Sequence, residues 1–338
     1  MLNTNGNRRK IVFIVIILFL VVAVLGVQNN FKSKNQKLEE VRLGVSKAAP
    51  ELSALVYVAE NQNYFKDQWL DVKQIEEENG IIAQQNALKG VTDIATTIDF
   101  AFVSDSFDND ALRILATIDR AKFVYITARR DSGINDISDL KGKKIAVVSK
   151  SASEFLMGNF LTFHDLTLKD VTLVYLAFGE LENAITTGVV DAIATNDPFA
   201  YKIKTALGTN GISWSAQDNS SVYWLVVSSE DYIKLHPETT ERFLKALVQA
   251  EEFIKDNPED SKRIVKEHLN LEQNYFDQTW AKSDFGVTLE QSLLLAMEQQ
   301  ARWRIANKLT DKTVIPNYID YIYTDALRKV NLDAVTLY

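Results

Sequence analysis

The spacing of hydrophobic positions along this chain alternates between the two-residue period of β-strands and the period of about 3.6 residues of helices. Short apolar or alternating runs predict β-strands, and longer amphipathic stretches between them predict helices. The predicted strands cover residues 41–45, 70–75, 113–117, 123–127, 144–148, 171–176 and 223–227. The predicted helices cover residues 53–61, 81–89, 152–164, 180–187, 230–256, 258–269 and 289–309. Strands that alternate with helices are typical of an α/β protein with doubly wound sheets.

One sequence motif, which we call the repeated phrase, occurs twice in the chain. The segment 86–96, NALKGVTDIAT, returns at 183–195 as NAITTGVVDAIAT. Each copy predicts a helix that ends at Gly90 or Gly188, because glycine adopts the left-handed conformation at the lowest cost. A short apolar strand and a polar tip follow. Since ligands lie outside the carboxyl ends of strands in open α/β sheets, the two tips predict two lobes that face each other across a cleft.

The first forty residues indicate an exported protein. Arg8, Arg9 and Lys10 precede residues 11–27, which carry no charge and are just long enough to cross a bilayer. Basic residues before such a segment favour a cytoplasmic N-terminus, residues 1–10, and an exported body. We expect residues 11–27 to form an uncleaved membrane anchor, with a cleaved signal peptide as the alternative. Polar residues 28–40 then form a tether.

Composition excludes several classes of function. A length of 338 residues suits two domains, and a net charge of −8 without a basic stripe argues against nucleic-acid binding. The absence of cysteine excludes disulfides, thiolate nucleophiles and lipid attachment through an N-terminal cysteine. His164, His236 and His268 are isolated in sequence, so we expect no metal site and no cofactor.

The passage ISDLKGKKIAV at residues 137–147 resembles the opening of the second lobe in a known family of binding proteins. Further similar segments are 90–95, 188–192, 196–199, 302–303, 317–320 and 325–327. On these residues the chain resembles the extracytoplasmic solute-binding proteins of ABC importers. It is most similar to the nitrate/sulfonate/taurine branch, which shares its fold with thiamine-pyrimidine synthases. The resemblance spans residues 41–338.

This resemblance implies a two-lobed periplasmic-binding-protein type II fold, each lobe a doubly wound sheet flanked by helices. Lobe one would comprise residues 41–120 and 223–338, and lobe two residues 121–222. The implied partners are a small-molecule solute and the membrane subunits of an importer, with the receptor a monomer. We expect it in the periplasm or on the outer face of the cytoplasmic membrane. Hinge motion is expected around residues 118–123 and 219–224.

Candidate ligand-binding residues lie at helix starts, at strand ends and near the predicted crossovers. Ser151, Ala152 and Ser153 begin a predicted helix, whose unpaired N–H groups attract anions; simple capping is the alternative. By resemblance this turn faces the solute. The other candidates are Ala49, Pro50, Thr96, Thr97, Asp99, Arg120, Asp197 and Trp224.

Most of these candidates have a structural alternative. Asp99 and Asp197 would bind a cation or a solute N–H group if they face the cleft, and otherwise cap helices. Arg120 would hold an anionic group bidentately, or instead form a salt bridge with Asp119 or on the lobe surface. Trp224 would form an aromatic wall, or instead belong to the core. Ala49 and Pro50 would let a ligand approach the backbone, or form a plain loop.

The leading hypothesis is therefore a membrane-tethered receptor that binds a small polar solute and performs no chemistry on it. The solute class stays open among sulfonates, nitrate-like anions, aromatic carboxylates and pyrimidine precursors. An alternative is a membrane-anchored sensory domain that passes ligand occupancy to a partner protein. An enzyme of the pyrimidine-synthase type is disfavoured, because by resemblance that activity uses a site rich in cysteine and histidine. We expect Asp197→Ala to weaken solute binding without unfolding the chain.

Overall fold

Two β-sheets organise the chain in the computed structural model, which describes residues 37–217 and 220–337. The predicted N-terminus 1–10, the predicted anchor 11–27 and most of the predicted tether 28–40 lie outside these residues. Among the described residues, no helix combines the length and the apolar character needed to cross a membrane.

Twelve strands of the described residues form the sheets. They are β1 (Glu39–Ser46), β2 (Leu70–Glu77), β3 (Ile94–Ile98), β4 (Leu112–Ala121), β5 (Val124–Arg129), β6 (Lys144–Val147), β7 (Thr172–Tyr175), β8 (Ala192–Asn196), β9 (Gly211–Ser215), β10 (Val222–Ser229), β11 (Ser283–Glu290) and β12 (Val335–Thr336). One sheet has the order β12-β11-β4-β10-β3-β1-β2 and defines lobe one. The other has the order β7-β6-β8-β5-β9 and defines lobe two.

Thirteen α-helices are described. They are α1 (Ala54–Asn61), α2 (Tyr64–Asp67), α3 (Gly80–Leu88), α4 (Asp99–Ser106), α5 (Ala152–Phe163), α6 (Leu181–Thr186), α7 (Phe199–Leu207), α8 (Glu230–Leu235), α9 (Pro237–Asp256), α10 (Pro258–Leu269), α11 (Gln273–Trp280), α12 (Gln291–Ala306) and α13 (Asp325–Val330). Helices α5 to α7 belong to lobe two, and the others to lobe one.

Parallel pairing places strand ends of the same kind together in both lobes. In lobe one β1 pairs parallel with β3, with Leu43 opposite Ile94. In lobe two β6 pairs parallel with β8, with Ile145 opposite Ala192. The antiparallel β10 lies between β3 and β4, and the antiparallel β5 lies beside β8. The polar tips that follow β3 and β8 therefore lie at the carboxyl edge of each sheet, as the repeated phrase predicted.

Apolar packing of helices on these sheets supplies the core. Phe243 of α9 is fully buried and stacks on Phe65 of α2, with ring centroids 5.2 Å apart. Burial of one such side chain contributes about 2–3 kcal/mol relative to leaving it exposed. The chain leaves lobe one after Ala121 and returns to it at Val222. Both crossings of the chain are short, which leaves the two lobes joined side by side.

Three predicted boundaries were wrong. The strand that was expected to end at residue 117 continues as β4 to Ala121, because Arg120 pairs with Tyr223 of β10 and Asp284 of β11. Strand β11 was not predicted, and the helix expected over residues 289–309 begins at Gln291 instead. The helix expected over residues 230–256 is interrupted at His236, because Pro237 cannot continue a preceding helix.

Candidate ligand-binding site

A cleft of about 440 Å³, its open mouth included, lies between the two lobes. It is lined at the carboxyl ends of β1, β3 and β8 by Ser46, Ile98 and Asn196. The complete lining is Ser46, Ala48, Ala49, Asn79, Gly80, Ile81, Ile98, Phe123, Val124, Lys150, Ser151, Ala152, Ser153, Phe178, Asn196 and Trp224. The cleft therefore occupies the place where open α/β sheets bind ligands.

Two helices, one from each lobe, begin at this cleft. Helix α3 of lobe one starts at Gly80, and the side chain of Asn79 accepts a hydrogen bond from the Ile82 N–H group at 3.0 Å. Helix α5 of lobe two starts at Ala152, and Ser151 occupies its N-cap position. The N–H groups of a first helical turn lack partners within the helix and carry a partial positive charge. Both helix starts thus present donors to one small space.

Ser151 does not cap α5 with its side chain. Its hydroxyl group donates a hydrogen bond to the carbonyl oxygen of Val148 at 2.7 Å, so it turns away from the N–H groups of the first turn. The N–H groups of Ala152 and Ser153, both in the cleft lining, are therefore not covered by that hydroxyl group. The arrangement suits an external acceptor, such as an oxygen atom of an anionic ligand.

Asn196 connects the lobes at the cleft. Its Nδ2 atom donates to the carbonyl oxygen of Ala48 in lobe one at 2.9 Å and to the carbonyl oxygen of Asp197. Because both hydrogen atoms of the amide are directed at backbone oxygens, its Oδ1 atom is the part available as an acceptor. Asn196 therefore bridges the two walls of the site.

Aromatic and aliphatic side chains form the remaining walls. Phe123 and Phe178 come from lobe two and its crossover, and Ile98 comes from the end of β3. Trp224 is almost fully buried, and its indole N–H donates to the hydroxyl of Ser53 at 3.0 Å. With its polar edge satisfied, the indole offers only an apolar surface to the cleft.

Five of the predicted binding residues line this cleft. They are Ala49, Ser151, Ala152, Ser153 and Trp224. Pro50 lies one residue beyond the lining, at the start of the 3₁₀ turn Pro50–Ser53. Their part in binding itself stays a prediction.

Thr96 and Thr97 lie behind the cleft rather than in its lining. Thr96 is buried and its hydroxyl accepts a hydrogen bond from the Ser46 N–H group at 3.3 Å. The Thr97 hydroxyl donates to Oε1 of Gln84 at 2.8 Å. The two threonines hold the end of β1 and helix α3 in place, so they support residues that do reach the cleft.

Asp99 and Arg120 are engaged elsewhere. Asp99 is fully buried at the first position of α4 and accepts hydrogen bonds from the Phe100 N–H group at 2.8 Å and from Nε2 of Gln300 at 2.7 Å. Burial raises the pKa of its carboxyl to about 7, although these hydrogen bonds oppose the rise. Arg120 forms ion pairs with Asp284 and with Glu290, the latter at 2.9 Å. Neither residue lines the cleft.

Asp197 lines a different pocket, which lies between residues of lobe two and Gln278 and Lys282 of lobe one. Its carboxylate accepts a hydrogen bond from the Tyr201 N–H group at 3.1 Å, in the first turn of α7, and lies 3.8 Å from Nζ of Lys282. Burial raises the pKa of Asp197 to about 6, and Lys282 opposes this rise. The helix-cap alternative for Asp197 thus has direct support in the geometry, and its part in solute binding stays a prediction.

Sequence reasoning missed Lys150, Asn196 and Phe178 as cleft residues. Asn196 adjoins the predicted Asp197, but successive residues of a strand point to opposite sides, and nothing local indicates which side faces the cleft. Lys150 directly precedes the predicted helix start and could have been included on that ground. Phe178 follows β7 in a 3₁₀ turn, and no motif marks it.

No group of three or more potential metal ligands (His, Cys, Asp or Glu) is arranged to hold an ion in the described part of the chain. The polar side chains of the described cleft lining are three hydroxyls, two amides and one ammonium group, and backbone N–H groups add to them. Such a donor set suits an anion or a polar neutral molecule.

Two α/β lobes that enclose a cleft at the carboxyl ends of their strands are the architecture of the periplasmic binding proteins. The chain belongs to the NMT1/THI5 like family, whose model matches residues 52–261.

Several proteins similar to this chain are named as binding proteins for small anions. A Bacillus subtilis (strain 168) protein that carries the name of an aliphatic sulfonates-binding protein is 26% identical over 253 residues, which cover 70% of this chain and 71% of that protein. The alkanesulfonate-binding protein SsuA from Xanthomonas axonopodis pv. citri, solved with MOPS bound, superimposes with a TM-score of 0.72 at 20% identity, covering 85% of this chain and 99% of that one. The periplasmic nitrate-binding protein NrtA from Synechocystis PCC 6803 gives a TM-score of 0.66 at 11% identity, covering 88% and 89%. At these identities the solved structures establish the fold.

Proposed function

We propose that this protein is an extracytoplasmic receptor that captures a small organic anion of the sulfonate class between its lobes. The observation that carries the proposal is the start of helix α5. Its first N–H groups open on the cleft and are left uncapped by Ser151, opposite the start of α3. The relative that carries the name of an aliphatic sulfonates-binding protein supports the same class of ligand.

The N–H groups of the helix starts match the sulfonate group of an alkanesulfonate, and the apolar wall of the cleft matches its alkyl tail. Sulfonate oxygens would accept hydrogen bonds from the N–H groups of Ala152 and Ser153, and the partial positive charge of the helix start favours the anion. The alkyl tail would lie against Phe123, Phe178 and Ile98. Burial of each methylene group adds about 0.8 kcal/mol to affinity.

Ligand capture would proceed by closure of the lobes. Because α3 and α5 belong to different lobes, a ligand that contacts both helix starts binds the closed arrangement more tightly than an open one. The crossings near Ala121 and Val222 are the segments about which the lobes would move. The membrane subunits of an ABC importer would then distinguish the closed receptor from the open one. We further propose that residues 11–27 anchor the receptor, that it works as a monomer, and that it performs no chemistry on its ligand.

Titration calorimetry of the purified chain tests the ligand class. The panel contains alkanesulfonates of one to four carbons, nitrate, benzoate and a pyrimidine. We expect a sulfonate to bind with the highest affinity, and a thermal midpoint that rises accordingly, since a ligand at about 100 times its Kd adds about 2.7 kcal/mol of stability. Binding of the pyrimidine alone, or of no sulfonate, would contradict the proposal.

A pair of variants tests the role of the α5 start. Ala152→Pro removes one N–H group at the first helical position, where proline is tolerated. Ala152→Val adds comparable bulk and keeps the N–H group, so it is the matched control. We expect the proline variant to bind the sulfonate about tenfold more weakly than the valine variant, because a hydrogen bond to a charged group contributes about 1.5–3 kcal/mol. Equal affinities would show that this N–H group does not contact the ligand.

A further inference from the structure

We propose that four charged residues around the start of α5 make the ligand site select singly charged over doubly charged anions. The four residues are Lys150 and Glu154 of lobe two and Asp105 and Arg304 of lobe one, and we name them the charge quartet. This inference rests on the proposed anion-binding function. It concerns the charge of the ligand, which neither the fold nor the helix starts alone decide.

Lys150 is the one member of the quartet that lines the cleft. It has a positive φ of 61°, an uncommon conformation for a residue other than glycine, and it directly precedes the N-cap of α5. Its ammonium group lies 3.1 Å from Oδ1 of Asp105, across the boundary between the lobes. The other carboxylate oxygen of Asp105 accepts a hydrogen bond from Nε2 of Gln84 at 2.8 Å. A carboxylate held on both sides thus neutralises Lys150, the one cation among the described residues that line the cleft.

Glu154 adds a second carboxylate in the first turn of α5. It is only 2% exposed, and its oxygens accept hydrogen bonds from the Lys150 N–H group at 3.1 Å and from the Tyr175 hydroxyl at 2.8 Å. A negative charge at this position already interacts favourably with the positive end of the helix. It therefore uses part of the attraction that α5 would otherwise offer to a ligand.

Arg304 of α12 supplies the balancing cation. It is 5% exposed, and its Nη2 atom donates to the Leu309 carbonyl oxygen at 3.0 Å. Its Nε and Nη1 atoms are buried and have no hydrogen-bond partner in the described structure. Burial lowers the pKa of Arg304, and the charges of Glu154 and Asp105 are the strongest of the effects that oppose this. An arginine guanidinium stays protonated in proteins, so it contributes a full positive charge.

The quartet therefore sums to zero beside the ligand site, with two cations and two carboxylates. A singly charged head group is stabilised by the partial charges of the α3 and α5 starts. A second negative charge has no uncompensated cation to meet. The hydration that a second negative charge loses in the cleft is therefore not repaid by an ion pair, and we expect this loss to cost about tenfold in affinity.

Calorimetry with matched ligands on the full chain tests this selectivity. The probes are the alkanesulfonate of one to four carbons that binds most tightly and the alkylphosphonate of the same chain length, at a pH well above the second ionisation of the phosphonate and at low ionic strength. We expect the wild-type protein to prefer the sulfonate by about tenfold or more. Asp105→Asn keeps the size of the side chain and leaves Lys150 unneutralised, so the preference should fall to about threefold or less.

Two further variants complete the test. Asp108→Asn is the matched control, since Asp108 is exposed and pairs with Lys312 at 3.2 Å, and it should keep the wild-type preference. Glu154→Gln removes the other carboxylate and should narrow the preference as Asp105→Asn does, which covers the case that one variant fails to fold. Binding of both ligands with a preference that neither variant changes would overturn the charge inference alone. Failure of the wild-type protein to bind any sulfonate would overturn the proposed function and this inference together.

Discussion

The indole of Trp303, in lobe one, lies directly against the backbone of Gly158, in lobe two. A Cβ atom at position 158 would lie 2.5 Å from Cζ2 of that ring. Phe155, one turn earlier on α5, meets the same indole edge to face with ring centroids 5.4 Å apart, and Phe100 of lobe one stacks on Phe155 at 5.5 Å. An apolar contact therefore joins α5 of lobe two to Phe100 and Trp303 of lobe one, and it requires glycine at position 158.

We expect Gly158→Ala to separate the lobes and to weaken ligand binding. In an ordinary helix interior the exchange would stabilise the chain by up to about 1 kcal/mol, so a loss would identify the contact with Trp303. Overpacking of a close contact costs about 1–3 kcal/mol, which corresponds to about tenfold or more in affinity for a ligand that binds the closed form. Small-angle X-ray scattering should show a larger radius of gyration, and calorimetry the lower affinity.

Gly286→Ala is the control for this change. A Cβ atom at Gly286 would meet Thr288 and Glu251 at 3.7 and 3.8 Å, which are ordinary contacts. Its radius of gyration and affinity should match those of the wild-type protein. If Gly158→Ala also left both quantities unchanged, the contact between Trp303 and α5 would have no influence on closure.

Asn196 offers a second test of the cleft. Asn196→Asp preserves the shape of the side chain but loses the donor to the Ala48 carbonyl oxygen and places a negative charge beside the proposed anion. We expect sulfonate affinity to fall by more than about tenfold, because repulsion adds to the lost hydrogen bond. Asn109→Asp, at a half-buried position outside the cleft lining whose Oδ1 accepts from the Ala111 N–H group, should leave affinity unchanged. An equal effect of the two variants would place Asn196 outside the binding surface.

The general architecture could be predicted because it depends on local patterns. The repeated phrase places a left-handed glycine before a buried strand in each lobe, and Gly90 and Gly188 have φ angles of 71° and 79°. The helix start at Ser151 was also predicted from local sequence, although its hydroxyl group donates to the Val148 carbonyl oxygen instead of capping α5. These predictions needed no knowledge of distant partners.

The destinations of long polar side chains could not be predicted in this way. Arg120 pairs with Asp284 and Glu290, which lie 164 and 170 residues later in the chain. Both partners belong to β11, a strand that was not predicted. Lys150 reaches an aspartate from the other lobe, 45 residues earlier. Such contacts depend on how the two lobes are placed against each other, and a single sequence does not contain that information in any local pattern.

The two glycines of the repeat provide a matched pair for stability measurements. Both have positive φ, so alanine at either position costs about 1 kcal/mol of backbone strain. At Gly90 a Cβ atom would meet nothing within 4 Å, whereas at Gly188 it would collide with Nη1 of Arg129. That atom donates to the Ile185 carbonyl oxygen at 3.0 Å. We expect Gly188→Ala to be more destabilising than Gly90→Ala by about 0.5–1.5 kcal/mol, the net contribution of a hydrogen bond.

Urea denaturation of the two variants measures this difference. Arg129→Lys provides the internal check, because it withdraws the guanidinium group from the crowded position. In that background the two alanine variants should cost nearly the same. A Gly90→Ala variant that is as destabilised as Gly188→Ala in the wild-type background would show that backbone strain alone explains both effects.

Buried carboxyl groups make the stability of the fold dependent on pH. Burial raises the pKa of Glu51 to about 7, of Asp99 to about 7 and of Asp197 to about 6. In the unfolded chain such groups titrate near pH 4, so between about pH 4 and pH 7 the native state binds more protons than the unfolded state. The free energy of unfolding therefore falls as pH rises through this window. Below about pH 4 these carboxyl groups are protonated in both the native and the unfolded state, and above about pH 7 they are ionised in both.

Glu51→Gln isolates one of these groups. Glutamine keeps an oxygen that can accept the Tyr275 hydroxyl, which now donates to Oε1 of Glu51 at 2.6 Å, but it does not ionise. By urea denaturation we expect the variant to exceed the wild-type free energy of unfolding by about 1–3 kcal/mol at about pH 8, and to equal it near pH 4. Glu78→Gln, at an exposed position, should follow the wild-type protein at both pH values. If the free energy of unfolding of Glu51→Gln instead fell with rising pH as steeply as that of the wild-type protein, this result would show that ionisation of Glu51 does not destabilise the native state.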